Sequence, residues 1–399
     1  MRHLRATAAA IAIALCSGCG STIAGNPQPG ATPADIKTLR SGPFTSEPET
    51  FELKDGYGAP EQVRLIEGRR LLNYLIQPID IDTDVQELRD AEVFAAHTNM
   101  PDIQGITDTH KQVVKNNVKF IAGVAASRTN GSLRSPKEIS VAVLQFDSDT
   151  ESSRAAQEFN RISMEAVGRA NLDLPGVPNS YSSVLDGRQI DSWQAHGPYV
   201  ILVSVKRSVA EYDGTISKVK DALLAQNFAL DSQAPIPLDD VLDRPLDPEN
   251  IVRRTMTLSG RDSILSTDDF GPYRAAGILH FERNPAAARK AFEEAGVDII
   301  GQRASTVYRT RDLAAAFRLQ TFLAKAGKDD SPLDPPLGIA DAQCVRFDNV
   351  DERGNNAMCA VVYGRFVAVV TAKSIGHAQF DSGLQERAAA QYAILQKCE

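Results

Sequence analysis

One face of residues 150–167 is apolar, because hydrophobic side chains recur every three or four positions, at Ala156, Phe159, Ile162 and Ala166. This spacing matches the period of an α-helix and predicts an amphipathic helix. The polar residues directly ahead of it make Asp149 or Thr150 the predicted N-cap.

Two nearly continuous apolar runs, Tyr199–Val205 and Phe366–Thr371, are too short and too rich in β-branched residues to be helices. Each predicts a central strand covered by helices on one face. The stretch Val118–Phe146 predicts two strands joined across Asn130 and Gly131, a residue pair typical of hairpin turns. These signals together predict an α+β fold with mostly antiparallel sheets.

The apolar pattern occurs twice in the same order. Four segments of the first half match four of the second: residues 139–162 match 303–327, 195–208 match 362–374, 216–226 match 384–397, and the stretch from Glu67 matches that from Gly271. This order predicts an internal duplication. Two unrelated α+β domains would, however, also share some alternation of strands, turns and helices. The first copy is expected to carry an insertion at about 99–137.

The predicted organisation is therefore two similar domains, residues 59–228 and 251–399. The segment between them, residues 229–250, contains four prolines and predicts a semi-rigid linker. Residues 19–58 are rich in Gly, Pro, Ser and Thr without apolar periodicity, and they predict a flexible tether.

The first residues have the order of an export signal: Arg2 and Arg5, then the apolar run Ala6–Leu15, then small residues. Ser17, Gly18 and Cys19 resemble the lipobox of bacterial lipoproteins, with Leu15 one place further back than usual. The resemblance implies cleavage between Gly18 and Cys19, a diacylglycerol on the Cys19 thiol, and attachment to the outer side of the cell membrane. An ordinary cleaved secretory signal is the alternative; a redox pair with Cys16 and a zinc half-site are weaker ones.

The net charge of the chain limits the class of partner that it can bind. The chain has 399 residues and a formal net charge of −8. Loss of residues 1–18 would remove two arginines and change this charge to −10. An acidic chain without basic clusters argues against a nucleic-acid partner and against electrostatic adhesion to anionic lipid.

The three cysteines after Cys19, namely Cys344, Cys359 and Cys398, all fall in the second copy. Cys344 and Cys359 flank a turn near residues 351–356 and are predicted to form a disulfide across a hairpin. A bridge from Cys398 to either of them, or three free thiols, are the alternatives.

The segment Cys359–Leu395 is similar to the closing strand and helix of extracellular sensor domains of mycobacterial serine/threonine kinases. Cys359 and the strand start at Gly364, Arg365 and Phe366 occupy the corresponding places, whereas the tryptophan expected before the cysteine is absent. The whole chain resembles duplicated lipoproteins of mycolic-acid-containing actinobacteria. This resemblance implies the α+β fold and a role facing the cell envelope, and it implies no catalytic residue.

No local catalytic, nucleotide-binding or metal-binding motif is present, so the sequence predicts no cofactor, no metal site and no catalytic residue. The six histidines form no metal-ligand pair. Asp80–Asp84 begins like a calcium loop but lacks its glycine and its closing glutamate, so its carboxylates are expected to be solvated, with Asp84 capping a helix. Trp193 is expected to pack in a core.

The expected function is that of a lipid-anchored envelope protein acting as a binding or interaction module. Two similar domains form a groove between them, a usual location for ligands. An envelope lipid or glycolipid and an envelope protein are the candidate partners. The alternative is an envelope hydrolase, which would require Ser, His and a carboxylate to meet in a cleft without any local motif.

Overall fold

The computed structural model describes residues 33–52, 59–207, 212–233, 236–241, 243–258, 269–350, 354–373 and 381–399. Gly18 and Cys19 lie outside these residues, so the predicted cleavage and lipidation remain predictions. The boundaries 59–228 and 251–399 remain predictions as well.

The first domain contains five helices and seven strands in the described part of the chain. In chain order they are α1 (Ala59–Leu72), α2 (Pro78–Ile81), β1 (Glu87–Phe94), α3 (Asp108–Asn116), β2 (Phe120–Thr129), β3 (Lys137–Phe146), α4 (Asp149–Met164), β4 (Arg169–Leu172), β5 (Ser180–Leu185), β6 (Gln189–His196), β7 (Tyr199–Arg207) and α5 (Tyr212–Asp231). A short α6 (Leu238–Val241) follows in the linker.

The second domain repeats this pattern with shorter strands. Its elements are β8 (Gly271–Tyr273), α7 (Ala275–Ile278), a 3-10 turn (Leu279–Phe281), α8 (Pro285–Ala295), β9 (Ile299–Gln302), β10 (Ser305–Arg309), α9 (Leu313–Leu323), β11 (Ser331–Leu333), β12 (Gln343–Arg346), β13 (Ala357–Tyr363), β14 (Phe366–Ala372) and α10 (Ser382–Lys397).

Both sheets have the same topology. Their strand orders are β1-β2-β3-β7-β6-β5-β4 and β8-β9-β10-β14-β13-β12-β11, and the strand pairs are antiparallel. In each sheet a helix follows the third strand, and the seventh strand returns beside the third. The predicted α+β fold with two similar domains is confirmed.

Three of the four matched segments occupy equivalent positions in the two sheets, and the fourth does not. Residues 99–137 contain α3 and β2, which take the places in the first domain that α8 and β9 take in the second. They are therefore part of the repeat. The expected insertion reduces largely to longer strands and a longer loop between β2 and β3.

The central strands of the first sheet are covered on both faces, which differs from the expected one-sided cover. Along β3, Ile139 and Val141 belong to a buried cluster with α1 and α5, whereas Ala142 and Leu144 belong to another with α3 and α4. Two-sided burial explains why β7 is apolar without alternation.

Local signals located the first-domain elements well. The hairpin between β2 and β3 is present, with Gly131 at φ +62°. Ser148 caps α4 by accepting a hydrogen bond from the Glu151 amide, so the cap lies one residue before the predicted pair. The helix ends at Met164 and leaves Ala166 exposed.

The part of the predicted tether that the structure describes, residues 33–52, packs against the second domain. We call this segment the strap. Phe44 is buried in one cluster with α10, and the Arg387 guanidinium lies 4.8 Å from the centre of its ring. The Ala34 amide donates to the Tyr392 hydroxyl, and Arg303 donates to the Glu49 carbonyl. The strap lies on the α10 face of the second sheet.

The two domains share a buried interface. Leu72 of α1 belongs to the same apolar cluster as Ile278 and Leu279 of the second domain. Arg128 on β2 donates to the carbonyls of His280 and Glu282, at 3.2 and 2.6 Å.

The side chain of His280 is fully buried at this interface, with Nε2 3.0 Å from the Leu75 carbonyl. Burial lowers the pKa of His280 to about 3. The imidazole is therefore uncharged at neutral pH, which avoids the cost of burying a charge in the interface.

Candidate functional site: the groove between the domains

A groove of about 820 Å³ lies between β1 of the first domain and the second sheet. This volume is within the range of small-molecule sites. The groove is on the α9 face of the second sheet, whereas the strap lies on the opposite face.

The floor of the groove follows from the register of three strands. Thr306 on β10 pairs with Gln302 on β9 and with Val369 on β14, so these side chains share one face in a row. Two residues further along β14, Thr371 pairs with Met358 on β13. The floor is therefore polar near β9 and β10 and largely apolar near β13 and β14.

A hydrogen-bonded pair forms the polar end. The Tyr308 hydroxyl donates to Oε1 of Glu282 at 2.9 Å. Burial raises the pKa of the Glu282 carboxyl, although the bond from Tyr308 and the charge of Arg128 oppose this. Burial and the neighbouring carboxylate raise the pKa of Tyr308 well above its usual value. Tyr308 is therefore a neutral donor at physiological pH.

Aromatic and aliphatic side chains form the other end. Phe322 and Leu323, at the last turn of α9, and Phe347 line it together with Met358. The Arg283 guanidinium lies 4.7 Å from the centre of the Phe347 ring and donates to the Asn349 carbonyl at 3.0 Å. This contact fixes one rim of the groove.

The groove exists because α9 is short. Its counterpart in the first domain, α4, has 16 residues, and its last turn places Ser163 against Trp193 of β6, whereas α9 has only 11 residues. Five residues correspond to about 7 Å of helix. The sheet face beyond Leu323 is consequently left open for a ligand.

Acidic groups outnumber basic ones around the groove. Among the described lining residues, the carboxylates are Asp90, Glu92, Asp269, Glu282 and Asp330, and the cations are Arg283 and Lys325. This balance disfavours an anionic ligand.

The histidines that the structure describes lie away from the groove floor. His110 is 2% exposed, with Nε2 3.1 Å from the Ser163 hydroxyl, and both belong to the first-domain core. Burial lowers the pKa of His110 to about 4. His196 lies on the surface, 2.7 Å from Asp231.

Trp193 is buried in the same core as His110, as predicted. Its ring centroid lies 4.4 Å from that of Phe159, and its indole nitrogen donates to Ser163. This tryptophan is a packing residue.

The prediction that the carboxylates of Asp80–Asp84 are solvated is wrong for the middle residue, Asp82. Asp82 is buried against Arg207 and Lys218, at 2.9 and 3.3 Å. Although burial opposes it, a hydrogen bond from the Asp84 amide and the Lys218 charge lower the pKa of Asp82. Asp84 caps no helix, because the strand β1 follows it. In the described part of the chain, no three potential ligands are grouped as a metal site.

The predicted disulfide is confirmed. Cys344 on β12 and Cys359 on β13 are directly opposite in the strand register and are bonded. Cys398 is a free, partly buried thiol next to Arg254.

Sequence reasoning predicted a groove but none of the residues that form it. Glu282 and Tyr308 are 26 positions apart, and no motif connects them. Gln302 and Thr306 meet through a tight turn between two very short strands. The sequence signal that could have identified the groove is the shortness of α9 relative to α4.

None of the helices in the described ranges is both long and apolar enough to cross a membrane. Among curated proteins, none matches the chain. Among solved structures, the chain is similar to the extracellular domain of PknH from Mycobacterium tuberculosis, at 12% identity and a TM-score of 0.27. The match covers 39% of this chain and 96% of that one. A similarity this low says nothing about function.

Two family matches cover most of the chain. Residues 54–246 match the N-terminal part of a family described as a domain of unknown function, DUF7373, and residues 244–397 match its C-terminal part. The chain therefore belongs to the DUF7373 family.

Proposed function

We propose that this protein is exported, is anchored to the outer side of the cell membrane by lipid on Cys19, and binds a ligand in the groove between its domains. The observation that carries the proposal is the groove itself. It combines a polar end at Glu282 and Gln302 with an apolar end at Met358 and Phe347. Such a combination is typical of binding sites.

The disulfide supports export. Bonds such as Cys344–Cys359 persist in oxidising compartments and are rare in the cytosol. The N-terminal sequence supports export independently, because it contains basic residues, a short apolar run and the lipobox-like Ser17-Gly18-Cys19.

The partner in this proposal is a small molecule or an envelope protein segment that enters the groove. The net charge of −8 and the acidic lining argue against nucleic acid. The membrane contact is supplied by the lipid, because an acidic surface does not adhere to anionic headgroups.

Replacement of Cys19 by serine is expected to move the protein from the membrane fraction to the soluble fraction, because the thiol that would receive the lipid is lost. The measurement is immunoblotting of fractionated cells together with mass spectrometry of the mature N-terminus. Cys16→Ser is the matched control and should stay in the membrane fraction, since Cys16 is removed with the signal. Membrane retention of the Cys19→Ser protein would refute the anchor.

A further inference from the structure

The polar end of the groove contains hydrogen-bonding atoms that the protein leaves unused. Oε1 of Glu282 accepts from Tyr308, whereas the second carboxylate oxygen, Oε2, has no hydrogen-bond partner among the described residues. Nε2 of Gln302 is buried without a partner in that same part of the chain, and the residue is only 3% exposed. An unpartnered buried amide costs about 1–3 kcal/mol, so its retention beside a groove suggests that something else satisfies it.

These atoms need opposite partners. The carboxylate of Glu282 requires a donor, and the amide nitrogen of Gln302 requires an acceptor. Thr306, which is directly opposite Gln302 in the strand register, offers a hydroxyl that can do either. A ligand that matches this end must therefore both donate and accept.

A hydroxyl group meets this requirement, and charged groups do not. An ammonium has donors only, so it cannot satisfy the Gln302 nitrogen. A phosphate or carboxylate has acceptors only, and it would lie beside the carboxylates of Glu282 and Asp269.

Apart from Thr371, the rest of the floor is apolar. Val369 continues the row from Thr306, and Met358 and Phe322 lie beyond it toward the end of α9. Burial of an alkyl chain there would contribute about 0.8 kcal/mol per methylene.

Building on the proposed function, we infer that the groove binds an amphiphile with an uncharged, hydroxyl-bearing head, of the glycolipid class. The head occupies the end formed by Glu282, Gln302 and Thr306, and the chain lies over Val369 and Met358. A ligand of this class is available to a protein held at a membrane.

The test uses three probes with the same dodecyl chain and different heads: a glucoside, a primary ammonium and a phosphate. Each is titrated calorimetrically into the soluble Cys19→Ser protein below its critical micelle concentration. We expect the glucoside to bind about 10-fold more tightly than either charged probe, the equivalent of one good hydrogen bond.

Single substitutions test where in the groove the head of the ligand binds. Thr306→Val is expected to weaken glucoside binding about 5- to 10-fold. Thr150→Val makes the same chemical change at an exposed position on α4, outside the groove, and should leave the affinity unchanged. Gln302→Leu should weaken binding while raising the Tm, because it removes a buried group without a partner.

The outcomes separate the two levels of the proposal. If a charged probe binds as tightly as the glucoside, or if both threonine variants behave alike, the inferred ligand class is overturned and the groove remains a binding site. If none of the probes binds, both the ligand class and the amphiphile-binding groove are rejected.

Discussion

Replacement of Arg128 by methionine is expected to lower the free energy of unfolding by about 3–5 kcal/mol. Arg128 is fully buried on β2, and its guanidinium donates to the carbonyls of Gln86, His280 and Glu282, at 2.8, 3.2 and 2.6 Å. Methionine would fill much of the space of the aliphatic stem but would leave one buried and two partly buried carbonyls without this donor. A hydrogen bond from a charged donor contributes about 1.5–3 kcal/mol, and the expected loss lies below the sum for three such bonds because two of them are only partly buried.

The measurement is chemical denaturation of the soluble protein, and Arg134→Met is the control. Arg134 is exposed in the loop between β2 and β3, so its replacement should stay within about 0.5 kcal/mol of the wild type. Equal stabilities of the two variants would show that Arg128 does not hold the domains together. Because two of its acceptors flank the polar end of the groove, loss of this contact should also weaken ligand binding.

Replacement of Phe44 by alanine is expected to release the strap from the second domain. The ring is 5% exposed, lies in the α10 cluster and is stacked against Arg387. Burial of a phenylalanine is worth about 3–5 kcal/mol relative to alanine. Trypsin should therefore cleave after Lys37 or Arg40 on the order of 100-fold faster, since cleavage follows the open population.

The control for the strap is Phe228→Ala. Phe228 is 79% exposed on α5, so its loss should not change the cleavage rate at Lys37 or Arg40. Equal cleavage of both variants would mean that the strap does not depend on Phe44. Only 13 residues separate Cys19 from the strap. An anchored strap would keep the second domain within about 48 Å of its lipid, since each residue spans at most about 3.4 Å.

Local sequence signals correctly predicted those elements whose structure is determined by residues of a single segment. The period of α4, the Asn130-Gly131 turn and the apolar run of β7 each specify their structure without distant partners. The disulfide was also predictable, because the cysteines flank one turn and antiparallel pairing places them opposite each other.

The repeat was harder to align where its two copies differ in length. β8 and β9 have 3 and 4 residues, whereas β1 and β2 have 8 and 10. The long strands of the first domain therefore resembled an insertion. Equivalence became visible only through the strand order, which depends on pairing between distant residues.

The strap and the groove depend on tertiary contacts that composition does not reveal. A segment rich in Pro and Gly has no period, yet a single ring at Phe44 can hold it against α10. The polar end of the groove combines Glu282, from the turn before α8, with Gln302 from β9. Neither residue has a distinctive sequence context.

The central claim is that the groove between the domains is the binding site, and photolabelling of the intact protein tests it most directly. A dodecyl glucoside with a diazirine in its chain is irradiated with the protein, and labelled peptides are identified by mass spectrometry. We expect the label on the strands that contain Met358 and Val369, with competition by unlabelled glucoside. Label confined to the exposed side chains Leu224 and Phe228 of α5, without label in the groove, would contradict the claim.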